Sequence, residues 1–352
     1  MSVATFFERT RGARKILIVD LGFLGDSVHL IPACWDLKRQ YPDAELHTLS
    51  ATVGAEVLKL APCVDRAWAY PLGNPSPPWW RHLDILGAIR RERFDVAISF
   101  SGGDRPVLVT ALSAARHRLA HDNGRRHFYN RWIVPDWVPR RDRRDPVFEQ
   151  RRQVLAAAGM ALGPVRFDLD LPWEVRDWAR DQMAGGAIHV SPNASHVLKE
   201  WPMESWRRLI PVLTRATGRP VVVTGDGSER EQRRLKRLEG AVGGATLRVI
   251  QERLSLARLA ALLEQSALHV GADSGVTHLA FALGRPTVTV YREYDGRLEW
   301  TPPGPRHRQC IVECACIGGQ PKGCLSAEVA ACLGGIQPEA MLEHCVRALE
   351  GG

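Results

Sequence analysis

The stretch KILIVDLGFLGDSVHLIPA, Lys15 to Ala33, decides the reading of the fold. Ile16 to Val19 form an unbroken apolar run closed by Asp20, as expected of a strand covered on both faces. Two glycines three apart, Gly22 and Gly25, and an acid, Asp26, then lead into a segment patterned as a helix. Strand, glycine turn and helix are the opening of a parallel α/β unit. At a helix start Asp26 can cap free backbone N–H groups or serve as a chemical base, and residues 21–33 alone leave both open. Pro32 likewise leaves open whether one kinked helix starts at Asp26 or a new one starts at Pro32.

The same grammar recurs outward from this stretch. Strand-like runs fall near 45–49, 66–70 and 95–100, with amphipathic segments between them. LDILGAIRRERF places Leu83, Leu86 and Ile89 on one helical face. From Arg116 to Asp145 the pattern weakens, and a helix is expected near 147–159. MALGPVRFDLDLPWE, with Gly163, Pro164 and Pro172, reads as a linker. The alternation restarts at Ala187 with AIHVS. It continues through a helix carrying Trp206, Leu209, Ile210 and Leu213 on one face, which Pro211 should bend or end. Strand PVVVTG and a charged helix near 228–239 follow. Ser255 is a candidate N-cap, 267–271 and 287–291 are strands around a helix near 276–283, Gly284 is a helix stop, and Pro338 opens a last helix over 338–350. The expectation is an α/β protein with two doubly wound domains, 1–165 and 166–335, facing each other across a cleft. A C-terminal helical segment, 336–352, would pack back on the first domain. In such sheets ligands bind beyond the carboxyl ends of the strands, and a cleft between two domains is the natural active site.

Composition narrows the function classes. The chain has 352 residues, enough for two domains of about 150 each. Hydrophobic residues make up 45% and charged residues 24%, as in soluble globular proteins. No apolar run approaches the ~18–20 residues of a membrane span, and the N-terminus carries no secretory signal, so the expected location is the cytoplasm. The charge is 47 − 39 = +8, and the excess is uneven: Arg116 to Arg152 hold eleven arginines against five acids. Such a region suits an anionic partner, or is a solvated loop. Nucleic acid is disfavoured, because no zinc-finger, KH or RRM signature accompanies it. Eight cysteines are present, six of them in the last 43 residues, and without a secretory signal they read as thiols or metal ligands rather than disulfides.

Four stretches can carry chemistry. GADSGVTHLAFALG sets Asp273, Ser274 and Gly275 between a strand and a helix N-terminus, where unpaired N–H groups and the helix dipole favour a phosphate. Ser274 and Thr277 add hydroxyl donors, and Asp273 makes better sense holding sugar hydroxyls beside the phosphate. The plain alternative is a helix cap with His278 in the core. SPNASHVLKEWPMESW places Lys199 as a point charge suited to a diphosphate, or as an ordinary surface lysine, with Ser191, Asn193 and Ser195 as small donors. Trp201 and Trp206 read as packing. In TGDGSEREQRR, Glu229 follows a glycine turn, where it could hold ribose hydroxyls or merely favour the helix dipole. The opening stretch is not GxGxxG, and no acid closes the next strand, so a dinucleotide site is weakly supported.

Taken together and in this order, these stretches resemble the bacterial ADP-heptose:lipopolysaccharide heptosyltransferases, glycosyltransferase family 9. The family patterns KILIVxxxxLGDxxHxxPA, KxWPxExW and DSGxxHLAxALGxPT are matched by KILIVDLGFLGDSVHLIPA, KEWPMESW and DSGVTHLAFALGRPT. The match runs from about Lys15 to the final helix, with 101–165 poorly marked. The resemblance implies a GT-B fold, with acceptor on the N-terminal domain and nucleotide-sugar on the C-terminal one, and inverting transfer that needs no catalytic metal. Carried over by position, Asp26 is the base, with Gly25, His29, Arg125 and Arg126 on the acceptor side. Lys199, Ser274, Gly275, Val276 and Thr277 surround the donor diphosphate, Asp273 binds the donor sugar, and Glu229 and Leu254 lie near the nucleoside. The partners implied are ADP-heptose or a related donor and an anionic glycolipid, with contact at the cytoplasmic face of the inner membrane.

Two departures qualify the resemblance. The family often continues with GPT after the last long strand, where this chain reads YREYDG. The tail is also richer in cysteine than is usual. A branch of the family that glycosylates autotransporter proteins holds iron through cysteines, so Cys314, Cys316, Cys324 and Cys332 are candidate ligands for structural iron or zinc, or reduced packing thiols. Their C-x3-C-x-C-x7-C-x7-C setting, counted from Cys310, is not the paired zinc pattern. The rival functions are transfer to a protein acceptor from the same donor, and a nucleotide-sugar-binding relative that has lost turnover.

Overall fold

The computed structural model describes residues 4–72, 77–100, 103–122, 130–139, 142–242, 244, 246–294, 296–314, 324 and 330–351. The chain divides into two units, Met1–Asp170 and Leu171–Gly352. The first unit ends five residues beyond the expected boundary, and the Asp170 N–H donates to Leu60 O at 2.6 Å.

In the first unit the strands are β1 (Lys15–Val19), β2 (Glu45–Ala51), β3 (Arg66–Tyr70), β4 (Val96–Ser99), β5 (His117–His121) and β6 (Asp136–Val138). They form one parallel sheet in the order β3-β2-β1-β4-β5-β6. The second unit repeats the plan with β7 (Ile188–Ser191), β8 (Val221–Thr224), β9 (Leu247–Ile250), β10 (Leu268–Ala272), β11 (Thr287–Val290) and β12 (His307–Cys310), ordered β12-β11-β10-β7-β8-β9. Each sheet winds outward in both directions from its first strand. The winding reverses between β1 and β4 in one sheet and between β7 and β10 in the other, and doubly wound sheets place ligands beside such points. Two such parallel sheets flanked by helices are the GT-B fold.

The central strands fold this way because every side chain of Ile16–Val19 is fully buried, which only a sheet covered on both faces allows. Register then aligns the strand ends. Val19 lies across from Leu49 and Ser99, so the loops after β1 and β4 leave at one edge. The helix Leu24–Gln40 runs unbroken through Pro32, which settles the choice that the sequence leaves open. Met203–Thr217 likewise continues through Pro211 and ends only at Gly218, where φ is +66°. Trp206, Leu209, Ile210 and Leu213 are buried as their spacing predicts, and Trp201 meets Trp206 edge-on at 5.0 Å.

Two expectations need correction. Leu83 is 54% exposed, because the core beneath the helix Trp79–Arg91 takes in Ile85, Leu86 and Ile89 but stops short of its first turn. Strands β5, β6, β9 and β12 fall outside the runs read from sequence. They lie at or next to sheet edges, and HRLAH, DWV, LRVI and HRQC carry polar residues that an edge tolerates. The last helix, Pro338–Glu350, buries Met341, Cys345 and Ala348 in the core of the second unit.

Candidate functional site

In the first unit, the end of β1 and the start of the next helix bring three charged side chains together. Asp26 is the third residue of the helix Leu24–Gln40, and its Oδ2 accepts the Phe23 N–H at 2.9 Å. Its Oδ1 accepts from Arg151 Nη2 at 3.2 Å. The same guanidinium donates from Nε at 3.0 Å and from Nη2 at 2.6 Å to Asp20 Oδ2. Asp20 and Arg151 are almost fully buried, whereas the Asp26 side chain keeps 26% of its surface. Asp26 therefore caps its helix with one oxygen and faces Arg151 with the other. Burial raises its carboxyl above the usual range, the Asp20 charge adds to this, and Arg151 and the Phe23 N–H oppose it. Gly22 makes room: a Cβ there would stand 2.3 Å from both Cβ and Cγ of Asp26. Phe23 leaves its ring 76% exposed beside this group.

The other first-unit residues behave differently. Gly25 is buried in the first turn of the helix. His29 is 2% exposed, stacked on Phe148 at 5.9 Å and edge-on to Phe167 at 6.4 Å, so it packs inside the unit. Arg125 and Arg126 lie outside the described residues. Arg151 and Arg152, read as part of a basic surface, are instead internal, with Arg152 bound to Asp36 at 2.7 Å and Glu149 at 2.9 Å.

In the second unit, the loops after β7 and β10 meet beside the winding reversal. Lys199 closes a short 3-10 turn, Val197–Lys199, and its Nζ pairs with Asp273 Oδ2 at 2.8 Å. Asp273 is 4% exposed and follows β10 directly. Ser274 precedes the helix Gly275–Ala282, whose first N–H groups have no partner within the helix. Among the described residues, the buried Ser274 Oγ has no hydrogen-bond partner, and neither has the buried Asn193 Nδ2 in the loop after β7. Buried polar atoms are normally satisfied, so open ones at the carboxyl edge of adjacent strands mark a place for a polar ligand. Val276 is half-buried in the first turn. Thr277 is not an open donor: it is fully buried, and its hydroxyl donates to Ala272 O at 3.0 Å.

Beneath this loop runs a buried polar chain that the sequence reading missed. Thr224 Oγ1 lies 3.0 Å from His189 Nε2, the two Nδ1 atoms of His189 and His269 are 2.9 Å apart, and His269 Nε2 lies 3.2 Å from Thr277 Oγ1. Burial holds His189 down to about 3 and His278 to about 4, and pushes His269 well down with help from its histidine neighbours, so all three are neutral. Gly271 permits the close approach, since a Cβ there would stand 2.8 Å from His269 Nε2.

The loop that presents Lys199 is braced by residues that only the fold brings together. Glu200 accepts the Ala194 N–H at 3.0 Å and pairs with Arg230 and Arg234, while Asn193 accepts from Arg234 at 2.9 Å. Glu229, expected near the ribose, has a side chain 89% exposed and pairs with Arg233 at 3.3 Å one turn on. The buried acid of that loop is Glu231, which accepts the Asp226 N–H at 2.7 Å. Leu254 is half-buried beside Arg253, against which Gly227 packs at φ +80°.

Of the candidate metal ligands, Cys316 lies outside the described residues. Cys314 and Cys324 pack against the second core, and Cys332 is inside it. Burial raises the Cys332 thiol, and the Cys324 sulfur accepts the Ala331 N–H at 3.3 Å. Among the described residues, no group of three or more histidine, cysteine or acidic side chains could hold a metal ion.

Comparison with known proteins agrees with this geometry. Residues 83–328 match the family model of glycosyltransferase family 9 (heptosyltransferase). The chain is 27% identical over 301 residues to lipopolysaccharide heptosyltransferase 1 of Pseudomonas aeruginosa, covering 79% of this chain and 78% of the relative. Among solved structures, the E. coli ADP-heptose lipopolysaccharide heptosyltransferase II superposes with a TM-score of 0.74 at 20% identity, covering 96% of this chain and 99% of that one. The E. coli heptosyltransferase WaaC with ADP gives 0.72 at 21% identity, with 96% of this chain and 99% of that one covered. The chain belongs to glycosyltransferase family 9, the heptosyltransferases, and is a glycosyltransferase.

Proposed function

We propose that this enzyme moves a heptose from ADP-heptose to an acidic inner-core sugar of lipopolysaccharide, with inversion and without a catalytic metal. The observation that carries the reading is the Lys199–Asp273 pair beside the N-terminus of the helix Gly275–Ala282, with Ser274 Oγ open next to it. That combination offers a cation and backbone N–H groups for a diphosphate, and a carboxylate and a hydroxyl for sugar hydroxyls. Relatives named for lipopolysaccharide heptosyl transfer, and a neighbouring heptosyltransferase structure with ADP, support the donor and acceptor classes.

The chemistry follows from the residue types. An acceptor hydroxyl attacks the anomeric carbon while its proton passes to Asp26. The bond from that carbon to the diphosphate oxygen breaks, and ADP leaves with the electron pair. A single displacement of this kind inverts the anomeric centre. A positioned carboxylate contributes ~10²–10⁴-fold to such a step. Lys199 and the helix N-terminus oppose charge that grows on the leaving diphosphate, so they stabilise the transition state more than the bound donor. The Phe23 ring offers an apolar face to an acceptor sugar beside the base. Among the described residues no helix is long and apolar enough to cross a membrane, and we place the reaction at the cytoplasmic face of the inner membrane, where the glycolipid would be met.

The test offers ADP-, GDP- and UDP-linked sugars in turn, with heptose-free inner-core glycolipid or with polypeptide acceptors, followed by mass spectrometry. Gain of one heptose by the glycolipid from the ADP donor is the expected result. Transfer to polypeptide alone, or from another donor alone, overturns the reading.

A further inference from the structure

We propose that Asp20 and Arg151 act as one positioning pair that holds the Asp26 carboxylate in place and balances the charge it faces. The inference rests on the reading of Asp26 as the base. Arg151 comes from the helix Val147–Ala157, 125 residues further along the chain than Asp26, and is buried to 3% exposure where a charge is costly unless paired. It spends three contacts on two carboxylates: two on Asp20, at 3.0 and 2.6 Å, and one longer contact on Asp26, at 3.2 Å. Asp20 in turn accepts the Gly22 N–H at 3.2 Å, and its own N–H donates to Leu49 O at 3.0 Å, so the acid that anchors Arg151 is fixed to the strand edge.

The asymmetry has a consequence for the base. Were Arg151 paired with Asp26 alone, it would hold that carboxylate strongly ionised and make it a poor proton acceptor. Were it absent, two acids would face each other in a buried place and one would stay protonated. Asp20 takes the closer share of the guanidinium, so Asp26 is held less strongly ionised than a sole partner would hold it. Among the described residues, the charges acting on Asp26 from packed elements are these two. Arg152, on the same helix as Arg151, pairs with Glu149 and with Asp36. His47 of β2 pairs with Glu45. Glu56, on the helix Thr52–Leu58, is not among the groups acting on Asp26. Cys34, on the helix of Asp26, is a thiol pushed well up by burial, and so is uncharged.

The test measures kcat/KM for transfer from ADP-heptose to the inner-core glycolipid against pH, with ADP-induced thermal stabilisation as the check that each variant folds and binds. Activity needs ionised Asp26, so its acid limb follows the Asp26 carboxyl. Asp20→Asn leaves Arg151 to Asp26 alone, and the limb should move to lower pH by ~1 unit, with a lower plateau. Arg151→Gln should move it up by a similar amount. Should Arg151→Gln fail the folding check, the neutral pair Asp20→Asn/Arg151→Gln stands in, and its limb should also lie above the wild type because the Arg151 influence exceeds that of Asp20. Arg151→Lys should restore the limb part of the way. Opposite displacements support the pair. Limbs that stay in place, or move together, overturn it while leaving Asp26 as base intact. An Asp26→Asn protein that still transfers removes the base reading itself, and the inference falls with it.

Discussion

The two sheets wind in the same order and reverse at the same point, yet the charges placed there are opposite in use. Beside β1 and β4, one guanidinium is shared between two carboxylates, and the more exposed carboxylate is left basic. Beside β7 and β10, one ammonium is held by one buried carboxylate, next to a helix N-terminus with an open serine hydroxyl. Topology decides where a site forms, and side-chain charge decides what it does. On the proposed function, the excess of acid serves as a proton acceptor, and the cation with oriented N–H groups receives phosphate.

The comparison breaks most severely at Lys199. Lys199→Met removes the cation opposing the leaving diphosphate, and loss of one such group typically lowers kcat by ~10²–10³-fold. It also leaves Asp273 buried without its partner, a destabilisation of ~1–3 kcal/mol. Steady-state kinetics and thermal unfolding of the same protein check both, and an unchanged kcat would remove the second sheet from the chemistry. On the first sheet, Gly22→Ala is the sharper probe. Its methyl would fall within 2.3 Å of the Asp26 carboxyl group, which must swing off Phe23 and Arg151. A base misplaced by about an ångström loses ~10²-fold in transfer, with ADP affinity untouched.

Per residue, the smallest effect expected is one of pH. His189 sits at about 3 and His278 at about 4 when folded, against ~6.5 unfolded. The unfolded chain therefore binds more protons below ~6.5, and stability falls as pH drops from there toward 4, by ~2 kcal/mol per histidine at pH 5. Asp26 works in the other direction, since its raised carboxyl takes a proton more readily folded than unfolded. Unfolding followed from pH 7 to 5 should show the acid-induced loss, and His189→Gln should remove one histidine's share. A pH-independent melting temperature over that range would contradict the neutral histidine chain.

How much of this was legible in the sequence depended on distance along the chain. KILIVD announced its buried strand because all of its central side chains are apolar, and the glycine turn and Asp26 followed within a few residues. The LGD, KEWP and DSG stretches were found because each is contiguous. Arg151 was miscounted as surface charge, since nothing near it in sequence says that it lies against Asp20. Glu229 was singled out because its position at a helix start was visible, whereas its exposure was not. The His189–His269 contact joins adjacent strands that are 80 residues apart, a pairing that no local pattern encodes. Edge strands escaped for the same reason that they are stable at an edge, namely that polar side chains break the apolar run.

The central claim is that one sheet supplies the base and the other holds the donor. It is tested most directly with Asp26→Asn, measuring ADP affinity by ligand-induced stabilisation and heptosyl transfer by mass spectrometry on the same preparation. The account predicts unchanged ADP affinity and transfer reduced by ~10²–10⁴-fold. Transfer at the wild-type rate, or loss of ADP binding together with transfer, would contradict it.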